Sequence, residues 1–208
     1  HGEAGIVLSE GKVNLVYSRL AKRLRAIGLR SFREYCELLR SKQGIDERQA
    51  MISAMTTNVT RFFREPHHFD FLKSTVLPPL VADARRGGRV RIWSAGCSSG
   101  EEPYSIAMTL LGMMPDALSH DILILATDID PEMIARGRAA TYAQSQVASI
   151  PDKFRANALE TGKGGQHSRI SECLRSLIRF NELNLLGPWP MKGKFDVIFC
   201  RNVVIYFD

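Results

Sequence analysis

Residues 89–111 read RVRIWSAGCSSGEEPYSIAMTLL, and this stretch decides the fold. Val90, Ile92 and Trp93 supply the β-branched and aromatic run of a buried strand. The GCSSG turn from Gly96 to Gly100 lets the backbone bend sharply and approach a ligand without Cβ clashes. Glu101 and Glu102 then fall in a first helical turn, where negative charge suits the helix dipole, and Pro103 suits a helix start. Strand, glycine turn and helix N-terminus in that order form the nucleotide-binding corner of an open α/β sheet. The plainer alternative is an ordinary strand–helix turn whose acids serve only the dipole.

The acids narrow the ligand. Two carboxylates at the helix start repel a phosphate, and the loop has neither a GxGxxG pattern nor a Walker lysine. A ligand with an adenosine, a cationic amino group and no phosphate suits the corner better. S-adenosylmethionine is the common one.

The rest of the chain bounds the answer. Its 208 residues suffice for one good core, or for one domain with a small helical companion. A 45% hydrophobic and 24% charged composition is that of a soluble globular protein. No apolar run reaches membrane-spanning length, and no secretory signal is recognisable. Cys36, Cys97, Cys173 and Cys200 are scattered without a CxxC pair, so they read as reduced thiols of a cytoplasmic protein. His67-His68 lack a third ligand at metal spacing, and no metal site is expected. A net charge of +6 points to an acidic partner.

From residue 9 to 27, Val13, Val16, Leu20, Leu24 and Ile27 recur at helical spacing. The remaining positions are basic: Arg19, Lys22, Arg23 and Arg25, then Arg30 and Arg33, with no acid among them. A solvated helix face would explain them. The sharper reading is a docking surface, and with no aromatic interleaved for base stacking an acidic protein is favoured over nucleic acid. Ser31 and Glu34 predict a capping box for a second helix to about Arg40, and Asp46 predicts the cap of a third. Residues 66–85 read as helical, interrupted at Pro78-Pro79, and Gly87-Gly88 as a linker.

Residues 121–127, DILILAT, form a continuous apolar run, as a parallel strand buried on both faces requires. Asp128 follows at the strand end, where an open α/β site binds ribose hydroxyls, and Asp130 is a natural cap for the next helix. Asp128 lies 28 residues after Gly100, a spacing that a longer first helix accommodates. Residues 141–166 are polar and irregular, with a glycine tip. Residues 168–171 and 177–180 read as two strands of a small hairpin excursion. Residues 195–200, FDVIFC, are another buried strand, placing Arg201, Asn202 and Tyr206 over the ligand crevice.

Four stretches together go further: TTNVTRFFREPHHF, RIWSAGCSSGEEPYSIAM, ATDIDPEMIARGRAATY and FDVIFCRNVVIYFD. In this order the chain resembles the CheR family of chemotaxis receptor glutamate O-methyltransferases from about residue 6 to 208. The resemblance implies an α/β, Rossmann-like S-adenosylmethionine methyltransferase domain over 86–208, carrying a small antiparallel β-subdomain at about 150–183. An all-α amino-terminal domain precedes it over 1–85. Asn58, Thr60, Arg64, Glu102, Asp128, Asn184, Leu185, Arg201 and Asn202 correspond to cofactor-binding positions, Glu102 for the methionine amino group and Asp128 for the ribose. Arg64 and Tyr206 match the catalytic positions beside the transferred methyl. Arg19, Lys22, Arg23 and Arg25 match the face that docks on the helical methylation region of chemoreceptors, and the β-subdomain is where a receptor carboxyl-terminal tail would bind. The family's chains continue past IYFD with a helix and two strands, so the last strands of a seven-stranded sheet are expected to be missing here.

The implied chemistry needs no catalytic histidine, cysteine or metal. A receptor glutamate, with a reference pKa of about 4.3, is already ionised at neutral pH. The protein has only to align oxygen, methyl and sulfur and strip water from the carboxylate. A nucleic-acid methyltransferase would show a D/N-PP-Y/F element where this chain has Arg201-Asn202-Val203. A catalytically silent docking module that senses S-adenosylmethionine or its product S-adenosylhomocysteine is the other alternative.

Overall fold

The computed structural model describes residues 13–55, 58–160 and 165–206. The expected first turn of the leading helix, most of the glycine tip and residues 207–208 lie outside this range, as does the Tyr206 side chain.

Three helices open the described chain: α1 (Val13–Ala26), α2 (Phe32–Arg40) and α3 (Ile45–Met55). Leu24 is the buried centre of the α1 stripe, whereas Val13 at its end is exposed. Ser31 caps α2 by accepting from the Glu34 amide at 3.2 Å. The return bond runs from the Arg30 amide to Glu34 Oε2, one residue upstream of a standard capping box. The third helix starts two residues earlier than expected. A 3-10 turn at Lys42–Gly44 leads into it, so Asp46 sits inside the first turn instead of before it.

What holds these helices together is partly ionic. Arg23 forks onto Glu47 with Nε–Oε1 and Nη2–Oε2 both at 2.8 Å, and the Tyr35 hydroxyl donates to Glu47 Oε1 at 2.8 Å. The Arg23 guanidinium is the main reason the Glu47 carboxyl lies below its usual 4.5, against the opposing pull of burial. A lowered carboxyl stabilises the fold above its unfolded value and loses that contribution as pH falls through its folded value. The helical segment is therefore expected to loosen on acidification below about pH 4.5. Near-ultraviolet circular dichroism of Tyr35 should report this, and Glu47→Gln should flatten the acid dependence.

The stretch 67–85 is α4 (His67–Phe71), a π-helical turn (Leu72–Val76) and α5 (Leu77–Arg85). The interruption expected at Pro78-Pro79 takes the form of that wide turn. A proline offers no N–H and its ring clashes with the carbonyl four residues back, here those of Ser74 and Thr75, so the helix widens upstream. Read above with the amino-terminal helices, this stretch instead packs on the sheet: Leu72, Leu77, Val81 and Ala84 share one core with Ile92, Ile106 and Leu110.

The sheet strands are β1 (Val90–Ala95) and β2 (Ile122–Asp128), then, beyond the two short strands β3 (Thr141–Ala143) and β4 (His167–Arg169), β5 (Ile178–Glu182) and β6 (Val197–Phe199). β5, β2, β1 and β6 lie side by side in that order, all parallel, with Ala95 opposite Thr127 and Asp128 opposite Glu182. Helix α6 (Glu101–Leu111) follows β1 and is buried almost throughout, which explains its nearly all-apolar sequence after the first turn. Helix α7 (Pro131–Ala139) follows β2, capped by Asp130 as expected.

One expectation is overturned. Residues 168–171 and 177–180 do not form a hairpin. β4 pairs antiparallel with β3, and β5 runs parallel to β2 in the main sheet. The intervening residues include α8 (Gln144–Val147), α9 (Asp152–Ala158) and, after β4, α10 (Glu172–Ser176). The reason is burial. Ile178 and Phe180 are core residues, and the Phe180 ring fills the space that a side chain at Gly137 would need, at 2.4 Å from its notional Cβ. A two-stranded surface hairpin has no interior to receive them.

Candidate functional site

The 96–100 turn begins where β1 ends. Gly96 (φ +76) has its notional Cβ 2.3 Å from Val203 Cγ2, so glycine is required both by the turn and by the approach of the loop after β6. Ser98 is held at φ 49, and its amide donates to Asp128 Oδ2 at 2.7 Å. The other Asp128 oxygen accepts from the Asp130 amide at 3.0 Å. The carboxylate expected to meet a ribose therefore also shapes the glycine turn. Burial raises its pKa above the ordinary 3.8, and the two amide bonds partly offset this.

Glu102, in the first turn of α6, accepts from Ser94 Oγ at 2.7 Å and from Arg201 Nη1 at 3.1 Å. Its side chain is 13% exposed, and burial is the main cause of its raised pKa. Glu101 beside it turns inward instead, bonded to Ser99 Oγ and Gln146 Nε2.

Arg201 gathers the site. Beyond Glu102, its Nη2 donates to the Arg64 carbonyl at 2.6 Å and to Glu65 Oε2 at 3.0 Å, and its guanidinium lies 5.6 Å from the centre of the Phe69 ring. Its Nε is buried without a hydrogen-bond partner among the described residues. Glu65 is held low by this guanidinium, with a smaller contribution from Asn202, which sits in the left-handed region at φ 56.

The segment 58–65 is fixed above the corner by its phenylalanines. Phe62 and Phe63 are buried, Phe62 edge-on to Tyr142, and the Phe63 amide donates to Ser105 Oγ. Phe63 and Glu65 both have positive φ, a strained path held by Phe62, Phe63 and Phe69, which are buried in one core. Arg64 is a third exposed, donating from Nη1 to the Val59 carbonyl at 2.6 Å. Asn58 donates to Asp130 Oδ2 at 3.0 Å, and Thr60 is half-buried beside it in the chain. Asn184 and Leu185 follow β5 and are half-buried. The preceding Leu183 amide donates to the Asp128 carbonyl, and Asn184 Oδ1 caps the Leu186 amide.

The residues expected at a cofactor site thus converge on the carboxyl ends of β1, β2, β5 and β6, with α3 and the 58–65 segment above. Two largely buried carboxylates and a glycine cradle form a donor set that fits a cationic adenosine compound. Sequence reasoning missed Ser53, which donates to Asp130 Oδ1 at 2.6 Å; nothing in its spacing marks it. It also missed the third donor near the histidines. Glu65 folds back so that a carboxylate oxygen and the ring nitrogens of His67 and His68 lie within 4.8 Å of one another. The same carboxylate is already bonded to Arg201.

The basic face of α1 divides in two. Arg23 is committed to Glu47, and Arg19 donates to the Met55 carbonyl at 2.7 Å. Lys22 and Arg25 are exposed.

Residues 1–56 match the family description "CheR methyltransferase, all-alpha domain", and residues 58–208 match "CheR methyltransferase, SAM binding domain". The chain is 52% identical over 210 residues to a "Probable chemotaxis protein methyltransferase" of Rhizobium etli, covering 100% of this chain and 78% of that one. Identity to the chemotaxis protein methyltransferase of Escherichia coli is 43% over 213 residues, 99% of this chain and 70% of the relative. For the one of Borreliella burgdorferi it is 39% over 208 residues, 98% and 73%. These matches span both the helical segment and the acid-lined crevice described above: the chain belongs to the CheR methyltransferase family and uses S-adenosylmethionine.

Proposed function

We propose that this methyltransferase is a protein-glutamate O-methyltransferase that esterifies glutamate side chains in the cytoplasmic helical region of chemoreceptors. Its relatives are named as chemotaxis methyltransferases, and no helix among the described residues is long and apolar enough to cross a membrane, in keeping with a cytoplasmic site of action. The observation that carries the reading is the Arg201 fork. One guanidinium holds Glu102 of the cofactor corner, the Arg64 carbonyl and the Glu65 carboxylate, which ties the 58–65 segment to that corner.

When bound, S-adenosylmethionine supplies an activated methyl on a sulfonium. The chain's own residues do the rest. Asp128 takes the ribose hydroxyls and Glu102 the methionine ammonium, with Asn58, Thr60, Asn184, Leu185, Arg201 and Asn202 completing the cofactor set. Arg64 orients the incoming carboxylate and Tyr206 shapes the methyl pocket. No proton has to move, because the acceptor is already a carboxylate. The exposed Lys22 and Arg25 meet the acidic receptor helices, and the β3–β4 sheet takes a receptor tail.

The test is transfer from methyl-labelled S-adenosylmethionine to a receptor cytoplasmic fragment, scored by alkali-labile methanol release. Label that resists alkali would point to another acceptor and overturn the ester. Arg64→Ala is expected to lower turnover about 100-fold, on the scale of lost positioning, with S-adenosylhomocysteine affinity within about threefold of the parent; full turnover would remove Arg64 from its role. Lys22→Glu with Arg25→Glu should raise the receptor KM roughly tenfold at low salt and progressively less as salt is added, leaving cofactor KM unchanged.

A further inference from the structure

We infer that Asp130 is a positioning residue of the cofactor site, clamping the end of α3 onto the turn after β2 and thereby setting Asp128. The inference rests on the assignment of Asp128 to the cofactor. Capping α7 needs one acceptor, and Asp130 Oδ1 supplies it to the Glu132 amide at 3.0 Å. A serine, threonine or asparagine would cap as well. The residue here does more than cap. Its carboxylate is fully buried, at 0% exposure. Oδ1 also accepts from Ser53 Oγ at 2.6 Å, across 77 positions of sequence, and Oδ2 accepts from Asn58 Nδ2 at 3.0 Å. A buried carboxylate is expensive to retain without donors on both oxygens, and two of the donors named here, Ser53 and Asn58, come from outside its own helix.

The clamp acts on Asp128 through the backbone. The Asp130 amide donates to Asp128 Oδ1 at 3.0 Å, so the position of residue 130 fixes one carboxylate oxygen. The other oxygen is then aimed at the Ser98 amide at 2.7 Å, in the left-handed conformation that the glycine turn adopts there. Asn58, itself a proposed cofactor residue, is set by the same carboxylate. Ser53 is thereby linked to the proposed cofactor site through Asp130.

Ser53 is the residue to change, because it is outside the binding machinery and a small truncation leaves the core intact. In the full chain, Ser53→Ala is expected to weaken S-adenosylhomocysteine binding about fivefold and to raise the KM for S-adenosylmethionine without lowering kcat. Ser53→Thr, which keeps the hydroxyl, should restore affinity to within twofold. In an Asp128→Ala background, where no side chain remains to be aimed, Ser53→Ala should cost nothing further. Amide exchange decides the clamp whatever the ligand. The Ser98 amide should exchange at least tenfold faster in Ser53→Ala, while Ile124 in the middle of β2 is unchanged. Unchanged Ser98 exchange overturns the inference. Faster exchange with unaltered S-adenosylhomocysteine affinity supports the clamp and counts instead against Asp128 as the cofactor carboxylate.

Discussion

Asp128→Ala is expected to weaken S-adenosylhomocysteine binding by at least tenfold, about 1.4 kcal/mol, in a titration calorimeter, with the circular-dichroism spectrum of a folded chain retained. Two losses combine. On the proposed assignment the ribose loses its acceptor, and the Ser98 and Asp130 amides lose theirs, so the glycine turn is no longer held. Ser98 is the sensitive point, since a non-glycine residue at φ 49 needs its surroundings to keep it there. Asp128→Asn separates the two effects, because its amide oxygen can still accept one of the two backbone bonds. It should lose less affinity than alanine. Equal affinity in the parent and Asp128→Ala would remove Asp128 from the ribose.

Arg201→Ala should be the most damaging single substitution at the site. It strips the partner from Glu102, whose side chain is 13% exposed, and from Glu65, which is 37% exposed. The Glu65 bond is screened by solvent and contributes little. Leaving Glu102 unpaired dominates, at about 3 kcal/mol, enough to lower the thermal midpoint of a chain this size by roughly 10 °C. Glu102 can limit the loss by taking up a proton, towards which burial already pushes it. Hence Arg201→Ala combined with Glu102→Gln should be more stable than Arg201→Ala alone, though neither should bind S-adenosylhomocysteine. Arg201→Lys should not rescue: an ammonium cannot serve Glu102, Glu65 and the Arg64 carbonyl with one planar fork. A variant melting within a degree of the parent would show that the fork is incidental.

The cofactor corner was legible because local chemistry and tertiary role agree there. A β-branched strand, a glycine turn and an acid-led helix are each specified by adjacent residues, and β1 and α6 form where their patterns place them. The position of Asp128 at the end of a buried strand was legible for the same reason, from the apolar run before it. The hairpin over 168–180 was misread because alternation predicts a strand but not its partner. Ile178 and Phe180 announce a buried face, and only the space beside Gly137 shows which face receives it. β3, three residues long, carries no periodicity to read. The Arg23–Glu47 and Ser53–Asp130 contacts join residues 24 and 77 positions apart, and spacing is silent at such range. The role proposed for Arg64 came from resemblance, since an isolated polar residue in a loop has no pattern of its own.

The division of the α1 basic face has a kinetic consequence. With Arg23 paired to Glu47 and Arg19 tethered, though still charged, at the Met55 carbonyl, the mobile charge that α1 would offer to the proposed acidic receptor sits on Lys22 and Arg25, on long, solvated stems. Such rim charges act while two molecules approach, bending diffusive paths towards each other, and do little once contact is made. The helix should thus govern how often enzyme and receptor meet, while the lifetime of each visit is decided elsewhere on the molecule.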